Sequence, residues 1–448
     1  MKDKLRKARR PYLIVFLALF ITGLVGTIVP SSNASSDYSA DTVMNIPLQG
    51  TIDRGNLNFL ERSLEEAQNM GVETVLLVLN TPGGYLDAAK DMRNAMDSYP
   101  GMIVAFVNPD ALSAGAYLAL AADQIYMVPG STMGAAEPQV MGEGTADEKV
   151  VSSWEAEMEA LAGRNDRQTD IASAMVRREV TLEDLVDSGE LLTLDHSQAR
   201  EVGYSEGTVE STQELLQELG LSDAELINKD RELIDSFISL TTNPAFATFL
   251  LIIGFAGLVL EVLTAGFGVA GTLSMLSFGL YFGGHILGGL AGYEVILLFV
   301  GGVVLMLIEA FMPGFGVFGI GGMIATFASI VMAAASAEAG ITMLIIALVL
   351  TAIILFFTIR HLSRKGVLRR FILEDSESAD KGYVAFEGRK DLVDKKGTAI
   401  TPLRPAGSAL IENERVDVVT EGDFIDKDSE VIVIRTEGSR VVVRATGK

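Results

Sequence analysis

The block from Ala245 to Ile359 constrains this chain most. It is rich in apolar residues and glycine and holds no Lys or Arg. It divides into five stretches, roughly 245–264, 267–288, 293–311, 315–336 and 340–360. Each is near the ~20 residues with which a helix crosses a ~30 Å hydrocarbon layer. Lipid offers no partner to an open backbone, so five helices are expected there. Orientation must be read at the ends. Arg360, Arg364, Lys365, Arg369 and Arg370 follow the last stretch, and Lys2, Lys4, Arg6, Lys7, Arg9 and Arg10 precede the apolar run Pro11 to Pro30. Both basic clusters are expected on the cytoplasmic side. Counting the N-terminal run as a sixth span gives the even number this requires. Residues 1–34 read as a signal peptide or an uncleaved N-terminal membrane anchor.

The remaining sequence separates into an extracytoplasmic segment, residues 35–240, and a cytoplasmic C-terminal one. The first alternates strand and helix patterns: strands at 42–48, 74–79, 102–107 and 124–128, helices at 55–70, after Gly84, after Ser113 and at 149–162, and a hairpin from Gly130 to Pro138. Such alternation predicts an α/β fold with a largely parallel sheet. The transmembrane domain is expected at 241–362 and a basic, then charged, linker at 363–390. Residues 391–448 show five short strand patterns separated by turns, the signature of a small β-barrel. The architecture expected is therefore multidomain.

A formal net charge of -23 argues against a nucleic-acid groove. The chain has no cysteine, so neither disulfides nor a thiol nucleophile is available, and it has only three histidines, His196, His285 and His361. No metal or cofactor motif is present, and none is expected.

Within the α/β segment, the buried-strand run Thr74 to Leu79 leads into Asn80-Thr81-Pro82-Gly83-Gly84. Thirty residues on, a second strand leads to Leu112-Ser113-Ala114-Gly115-Ala116-Tyr117, which opens an Ala-rich helix. Gly83 and Gly84 free the backbone to expose amides, and Ser113 stands where orphan helix N–H groups favour negative charge. A tetrahedral oxyanion needs such donors beside its nucleophile. A serine chosen only for tight packing or as an N-cap is the plainer reading of Ser113 alone. The Gly-Gly turn before it favours catalysis.

The base follows by elimination. His196 lies where a loop enters a short helix and reads as a surface histidine. A lysine serves if desolvation lowers its pKa. The segment has three, Lys90, Lys149 and Lys229. Lys149 opens a helix downstream of Ser113 and is the first candidate, Lys90 the second; Lys229 sits in an acidic stretch and reads as solvated.

The membrane block repeats itself. Glu261-Val-Leu-Thr-Ala-Gly266-Phe267-Gly268-Val-Ala-Gly271 recurs as Glu309-Ala-Phe-Met-Pro-Gly314-Phe315-Gly316-Val-Phe-Gly319, forty-eight residues on. Duplicated helix pairs with glycine-mediated packing explain this better than a transport site.

Taken with Gly163-Arg164-Asn165 and the C-terminal Gly397-Thr398-Ala399, Leu403-Arg404-Pro405 and Arg415-Val416-Asp417-Val418-Val419, these motifs resemble the long-form NfeD membrane proteases. That family belongs to the ClpP and crotonase superfamily and is related to signal peptide peptidase A. The resemblance implies a ClpP/crotonase-like α/β domain and an OB-fold at the C-terminus. It implies a Ser-Lys endopeptidase with Ser113 as nucleophile, the amides of Gly83, Gly84 and Ala114 as oxyanion hole, and a preference for apolar peptide segments. It also implies a stomatin- or flotillin-like scaffold partner and a homo-oligomer. In archaeal members the lysine precedes the Gly-Arg-Asn motif by about two helical turns. Here that position is Ala156, between Glu155 and Glu157, and Lys149 lies a heptad earlier on roughly the same face. The alternative expectation is a membrane-organising protein with weak or no activity. A channel is disfavoured because no span holds a charge series.

Overall fold

The computed structural model describes residues 42–140, 144–264, 268–311, 316–364, 389–437 and 439–446. The expected signal or anchor at 1–34, the cluster Lys365, Arg369 and Arg370, and most of the 363–390 linker lie outside the described residues. The chain forms two compact units, Met1–Thr358 and Ile359–Lys448.

Strands β1 (Thr42–Gln49), β2 (Thr74–Thr81), β3 (Met102–Leu112) and β4 (Gln124–Met127) alternate with helices α1 (Arg54–Met70), α2 (Leu86–Asp97) and α3 (Ala114–Ala121). Each helix is the crossover that a parallel pair needs, and the four strands lie side by side in chain order, all parallel. Their alternating side chains feed two cores. Val75, Leu77 and Leu79 join the larger cluster with Ile46 and Phe59, while Leu76 turns to the other face with Val43, Val104 and Phe106. That two-sided burial is why β2 reads as an unbroken apolar run. Asp53 caps α1 by accepting the Asn56 N–H, and Gly71 ends it in the left-handed conformation at φ 69°.

Strand β5 (Thr132–Gly134), the short ladder β6 (Gln139–Val140) with β7 (Gly144–Thr145), and helices α4 (Glu148–Arg164) and α5 (Thr169–Val176) follow. After them come β8 (Thr193–Asp195), α6 (His196–Glu201), β9 (Gly207–Thr208), α7 (Thr212–Glu218) and β10 (Glu225–Asn228). The main sheet runs β10-β1-β2-β3-β4-β9. The expected Gly130–Pro138 hairpin does not form. Instead β5 pairs in parallel with β3 and antiparallel with the distant β8, so its backbone partners are not local in sequence.

Helix α8 (Leu233–Thr242) leads into α9 (Pro244–Thr264), α10 (Val269–Leu287), α11 (Glu294–Phe311), α12 (Val317–Ala333) and α13 (Ala337–Arg364). The last five coincide with the five expected stretches. Pro244–Leu263 and Ala337–His361 are each long and apolar enough by themselves to cross a membrane. Large apolar residues such as Leu297, Ile324 and Phe357 face outward, an arrangement suited to lipid rather than water. The internal repeat sets how the helices pack. Gly254 lies against Ser274, whose Oγ donates to the Gly254 carbonyl at 2.7 Å. Forty-eight residues on, Gly302 and Gly322 meet so closely that a Cβ on either would come within 2.7 Å of the other's carbonyl oxygen. Small residues thus let the second pair approach backbone to backbone, while at the equivalent place in the first pair a serine hydroxyl bridges to the backbone.

Helix α8 ties the α/β portion to the helices, packing on α1, α9 and α10. Its Asp235 is fully buried and accepts from Arg62 at 2.7 Å and from the Glu232 N–H at 2.7 Å, while Arg62 also bonds Glu232.

In the second unit, β11 (Lys396–Ala399), β12 (Ala406–Ile411), β13 (Glu414–Thr420), β14 (Glu430–Glu437) and β15 (Arg440–Ala445) close into a barrel in the order β11-β12-β13-β15-β14. Alternate residues Val416, Val418, Val431, Val433, Val441 and Val443 fill it. Glu412 and Asn413, at φ 49° and 72°, form the tight turn between β12 and β13.

Removing Arg62 would strand the buried Asp235 carboxylate. Arg62→Ala should destabilise the first unit by about 3 kcal/mol and lower its thermal unfolding midpoint in detergent. Arg389→Ala, which breaks a surface pair with Glu414 on the barrel, should leave the midpoint unchanged.

Candidate functional site

Ligand sites of parallel sheets lie beyond the carboxyl ends of the strands. The two sequence motifs both stand there, on neighbouring strands. Leu79 pairs opposite Val107 but Thr81 pairs opposite Ala111, so β3 holds two more residues than β2 over this interval. At ~3.3 Å per residue, that irregularity draws Ser113 back by roughly 7 Å, to the level of Gly83.

The turn after β2 is fixed from below. The Ile52 N–H donates to the Gly83 carbonyl at 2.9 Å, and the Tyr85 N–H donates to the Ile52 carbonyl at 2.8 Å. This bridge leaves the Gly84 N–H outside the pairing. The Gly83 N–H donates to Oγ1 of the buried Thr81 at 3.0 Å. Gly83 has φ 112°, and a Cβ there would sit 2.5 Å from Ser113 Cβ and 3.0 Å from its Oγ. Gly84 has no room either, since its Cβ would fall 2.1 Å from the Ile52 carbonyl oxygen.

Ser113 makes the sharp corner between β3 and α3. Its φ of 54° and ψ of -119° are a backbone state that L-residues rarely adopt, costing about 1–3 kcal/mol. The corner is held by its N–H, which donates to the Gly134 carbonyl at 2.8 Å, and by its carbonyl, which accepts from Ala116 at 3.0 Å. All eight residues of α3 are buried, which anchors the helix N-terminus and the Ala114 amide beside the serine. Gly115 packs on Thr81, where a Cβ would meet the threonine methyl at 2.5 Å.

The structure thus brings together Gly83, Gly84, Ser113 and Ala114. Lys149 stands apart from them in kind: it is exposed on the first turn of α4, with its amide capped by Asp147. Helix α4 buries Val151, Trp154, Met158, Leu161 and Ala162, and both Lys149 and Ala156 lie off that stripe. Lys90 is paired with Glu157 at 2.6 Å and lies 5.9 Å from the centre of the Trp154 ring. Glu157 also accepts from the Tyr117 hydroxyl at 3.0 Å, and Tyr117 stacks on Trp154 with ring centres 4.3 Å apart. Burial pushes the Tyr117 phenol up to about 12, so it is a neutral donor at physiological pH. His196 opens α6, where Nδ1 accepts the Gly130 N–H at 3.1 Å and Nε2 lies 3.3 Å from Ser197 Oγ. Lys229 bonds Glu66. Among the described residues, no group of three His, Asp or Glu side chains is arranged to hold a metal.

Two contributors escape a linear reading. Ile52 holds the Gly-Gly turn from a loop some thirty residues earlier, and nothing in its local sequence marks it. Thr81 is part of the motif, but its role as acceptor of an amide became visible only in three dimensions.

Residues 42–229 match the family described as NfeD1b, N-terminal domain; residues 245–360 match the NfeD integral membrane domain; residues 389–444 match the NfeD-like C-terminal, partner-binding domain. The chain is 41% identical to membrane protein NfeD1b of Bacillus subtilis (strain 168) over 432 residues, 96% of this chain and 97% of that one. The chain belongs to the NfeD family. It is a long-form NfeD, carrying all three parts in order, and it is a membrane protein. This NfeD is also 24% identical to the membrane-bound protease PH1510 of Pyrococcus horikoshii, over 94% of this chain and 97% of that one. A solved structure of the 1510-N membrane-bound stomatin-specific protease, a lysine-to-alanine mutant in complex with a substrate peptide, covers 45% of this NfeD and 98% of its own chain, at 22% identity and a TM-score of 0.40.

Because each glycine here faces an occupied space, Gly115→Ala should destabilise this NfeD by about 2 kcal/mol through overpacking against Thr81. Gly83→Ala, which meets both a positive φ and Ser113, should lower the unfolding midpoint further. Equal midpoints for Gly83→Ala and the parent would contradict the close approach.

Proposed function

We propose that this NfeD is a membrane-anchored serine endopeptidase with Ser113 as nucleophile, acting on apolar peptide segments. The observation that carries this reading is the strained Ser113 corner set against Gly83. Serine at φ 54° is disfavoured relative to glycine, and the position presents a hydroxyl beside backbone donors at a helix N-terminus. Ser113 Oγ attacks the scissile carbonyl as its proton passes to a neutral lysine amine. The amides of Gly84 and Ala114 receive the developing oxyanion, joined by Gly83 once Thr81 Oγ1 releases it. Collapse of the tetrahedral intermediate returns the proton to the leaving amine, and water then hydrolyses the acyl-enzyme.

Lys149 is the proposed base, acting across a homo-oligomer interface. An exposed lysine lacks the desolvation that favours a neutral amine, and a neighbouring subunit covering the start of α4 supplies it. Lys90 is the second candidate, less favoured because Glu157 occupies its Nζ. The α/β portion is proposed to lie outside the cytoplasm and the barrel inside it. The barrel is proposed to bind a stomatin- or flotillin-like scaffold, in keeping with the partner-binding description of its family match and with the stomatin-specific protease among the relatives.

One specific observation supports a second reading, a membrane-organising protein without strong activity: within one chain Lys149 is exposed and Lys90 is held by Glu157, so neither lysine is placed as a neutral base.

Cleavage of a quenched apolar peptide by the full chain separates these readings. Ser113→Ala should lower kcat/KM by roughly 10³-fold or more, and Lys149→Ala should do nearly the same while Lys90→Ala retains turnover. Undiminished cleavage by Ser113→Ala removes the serine assignment. Absent cleavage by the parent oligomer, with scaffold binding lost on deletion of residues 389–444, supports the second reading.

A further inference from the structure

Where α8 meets α9, an open surface groove of about 350 Å³ is lined by Arg231, Ser236, Ser239, Leu240, Asn243 and Phe246. Its size falls within the range of ligand sites. Its lining joins a guanidinium and small polar groups on one side to apolar side chains on the other.

Arg231 is the informative residue. Its Nη2 donates to Ser239 Oγ at 2.6 Å and contacts the Asp235 carbonyl at 3.3 Å. Among the described residues it forms no ion pair with a carboxylate, and its Nε is buried without a hydrogen-bond partner. The carboxylates of Glu232 and Asp235 are both taken by Arg62, and Asp53 is reached only through Ser239. The buried Nε does not face the site, but Nη1 has no hydrogen bond among the described residues, and a partly buried guanidinium with such a free end suits a tetrahedral oxyanion. Ser236 adds a hydroxyl at the rim. Asn243 caps α9 through Oδ1, which accepts from Ala245 and Phe246, and keeps its amide N–H groups as donors.

The apolar wall says what carries that anion. Phe246 belongs to the first turn of α9, whose segment Pro244–Leu263 is long and apolar enough to cross a membrane. Its ring lies 6.0 Å from that of Phe249, which is half exposed on the same helix, and Leu240 is half exposed as well. With Pro244–Leu263 across a bilayer, the polar end of the groove falls at the start of the span, on the headgroup side, and the apolar wall continues along the helix toward the acyl chains. The geometry points to a phospholipid site: the headgroup phosphate on Arg231, Ser236 and Asn243, with an acyl chain along Phe246 and Phe249. A guanidinium beside the end of a membrane helix can hold a headgroup phosphate through charge-assisted hydrogen bonds on either side of the bilayer. The site does not depend on the serine chemistry.

The test uses the full chain, purified and stripped of lipid in detergent, with thermal unfolding followed as ligand is added. Dioleoylphosphatidylglycerol should raise the midpoint by roughly 3 °C. Dioleoylglycerol, which has the chains without the phosphate, should not, and neither should inorganic phosphate at the same concentration. Arg231→Gln should lose the rise. Because Arg231 also holds Ser239, Ser236→Leu serves as a second variant: it fills the groove from its exposed rim, should keep the lipid-free midpoint, and should also lose the rise. An undiminished rise in Ser236→Leu overturns the site. An equal rise with dioleoylglycerol overturns the role of the phosphate, and an equal rise with inorganic phosphate overturns the lipid in favour of a soluble anion.

Discussion

Three backbone segments meet with almost no side chain between them at the carboxyl edge of the sheet, and the candidate site is a consequence of that contact. The Ile52 bridge holds the Gly83–Gly84 turn, the turn abuts Ser113, and Gly115 rests on Thr81. Side chains on these glycines would force the segments apart, and the serine would lose its relation to the amides. The strain in Ser113 is sustainable because the surroundings over-determine it. Its N–H is fixed by β5, its carbonyl begins α3, and α3 itself is buried on every side. Rigidity of this kind is what preorganised electrostatic stabilisation requires, since donors that must reorganise during reaction contribute less.

The sequence made some of this legible and concealed the rest for physical reasons. The apolar run before Gly83 and the Ala-rich helix after Ser113 encode burial, and burial has a period that can be read along the chain. The barrel strands were equally legible, because polar and apolar residues alternate within each one and turn residues separate them. Pairing between distant segments has no such signal. The two additional residues in β3, the grip of Ile52 and the union of β5 with β8 depend on partners far along the chain. Lys149 illustrates a subtler limit. Helical periodicity tells which residues share a face, and Lys149 and Ala156 do fall on the same side of α4. It does not tell which face turns inward, and the buried stripe through Val151, Trp154 and Met158 is a different one.

Duplication governs the membrane helices in a similar way. The Gly254–Ser274 and Gly302–Gly322 crossings occupy equivalent places in the two copies, the first joined through a serine hydroxyl and the second by direct backbone approach. The paired glutamates fit the same logic. Glu261 accepts the Gly271 N–H at 2.9 Å and Glu309 accepts the Gly316 N–H at 3.2 Å, each reaching from one helix to the start of the next. In both copies the later glycine of the motif, Gly271 or Gly319, lies close against the glutamate stem. A carboxylate at a helix N-terminus satisfies donors that the helix cannot satisfy itself, and it does so where the dipole favours negative charge. These carboxylates therefore have a structural task, and their repetition does not require a transport pathway.

The two halves of the first unit share one further constraint, at Asp53. Its Oδ1 accepts both the Asn56 N–H, which caps α1, and the Ser239 hydroxyl, which belongs to α8. Asp53 follows Ile52 directly, so the residue that anchors the Gly-Gly turn is one peptide away from the residue that fastens α1 to the membrane-proximal helix. Arg231 extends the chain of contacts to the groove at the start of α9. Adjacency of this sort is not coupling, which requires an element with two arrangements that both ends bias. It does identify where such an element would have to be. Any rearrangement of α8 that displaced Ser239 would remove a hydroxyl donor from the Asp53 carboxylate that caps α1. The loop from Thr51 to Asp53 therefore touches both the Gly-Gly turn, through Ile52, and α8, through Asp53.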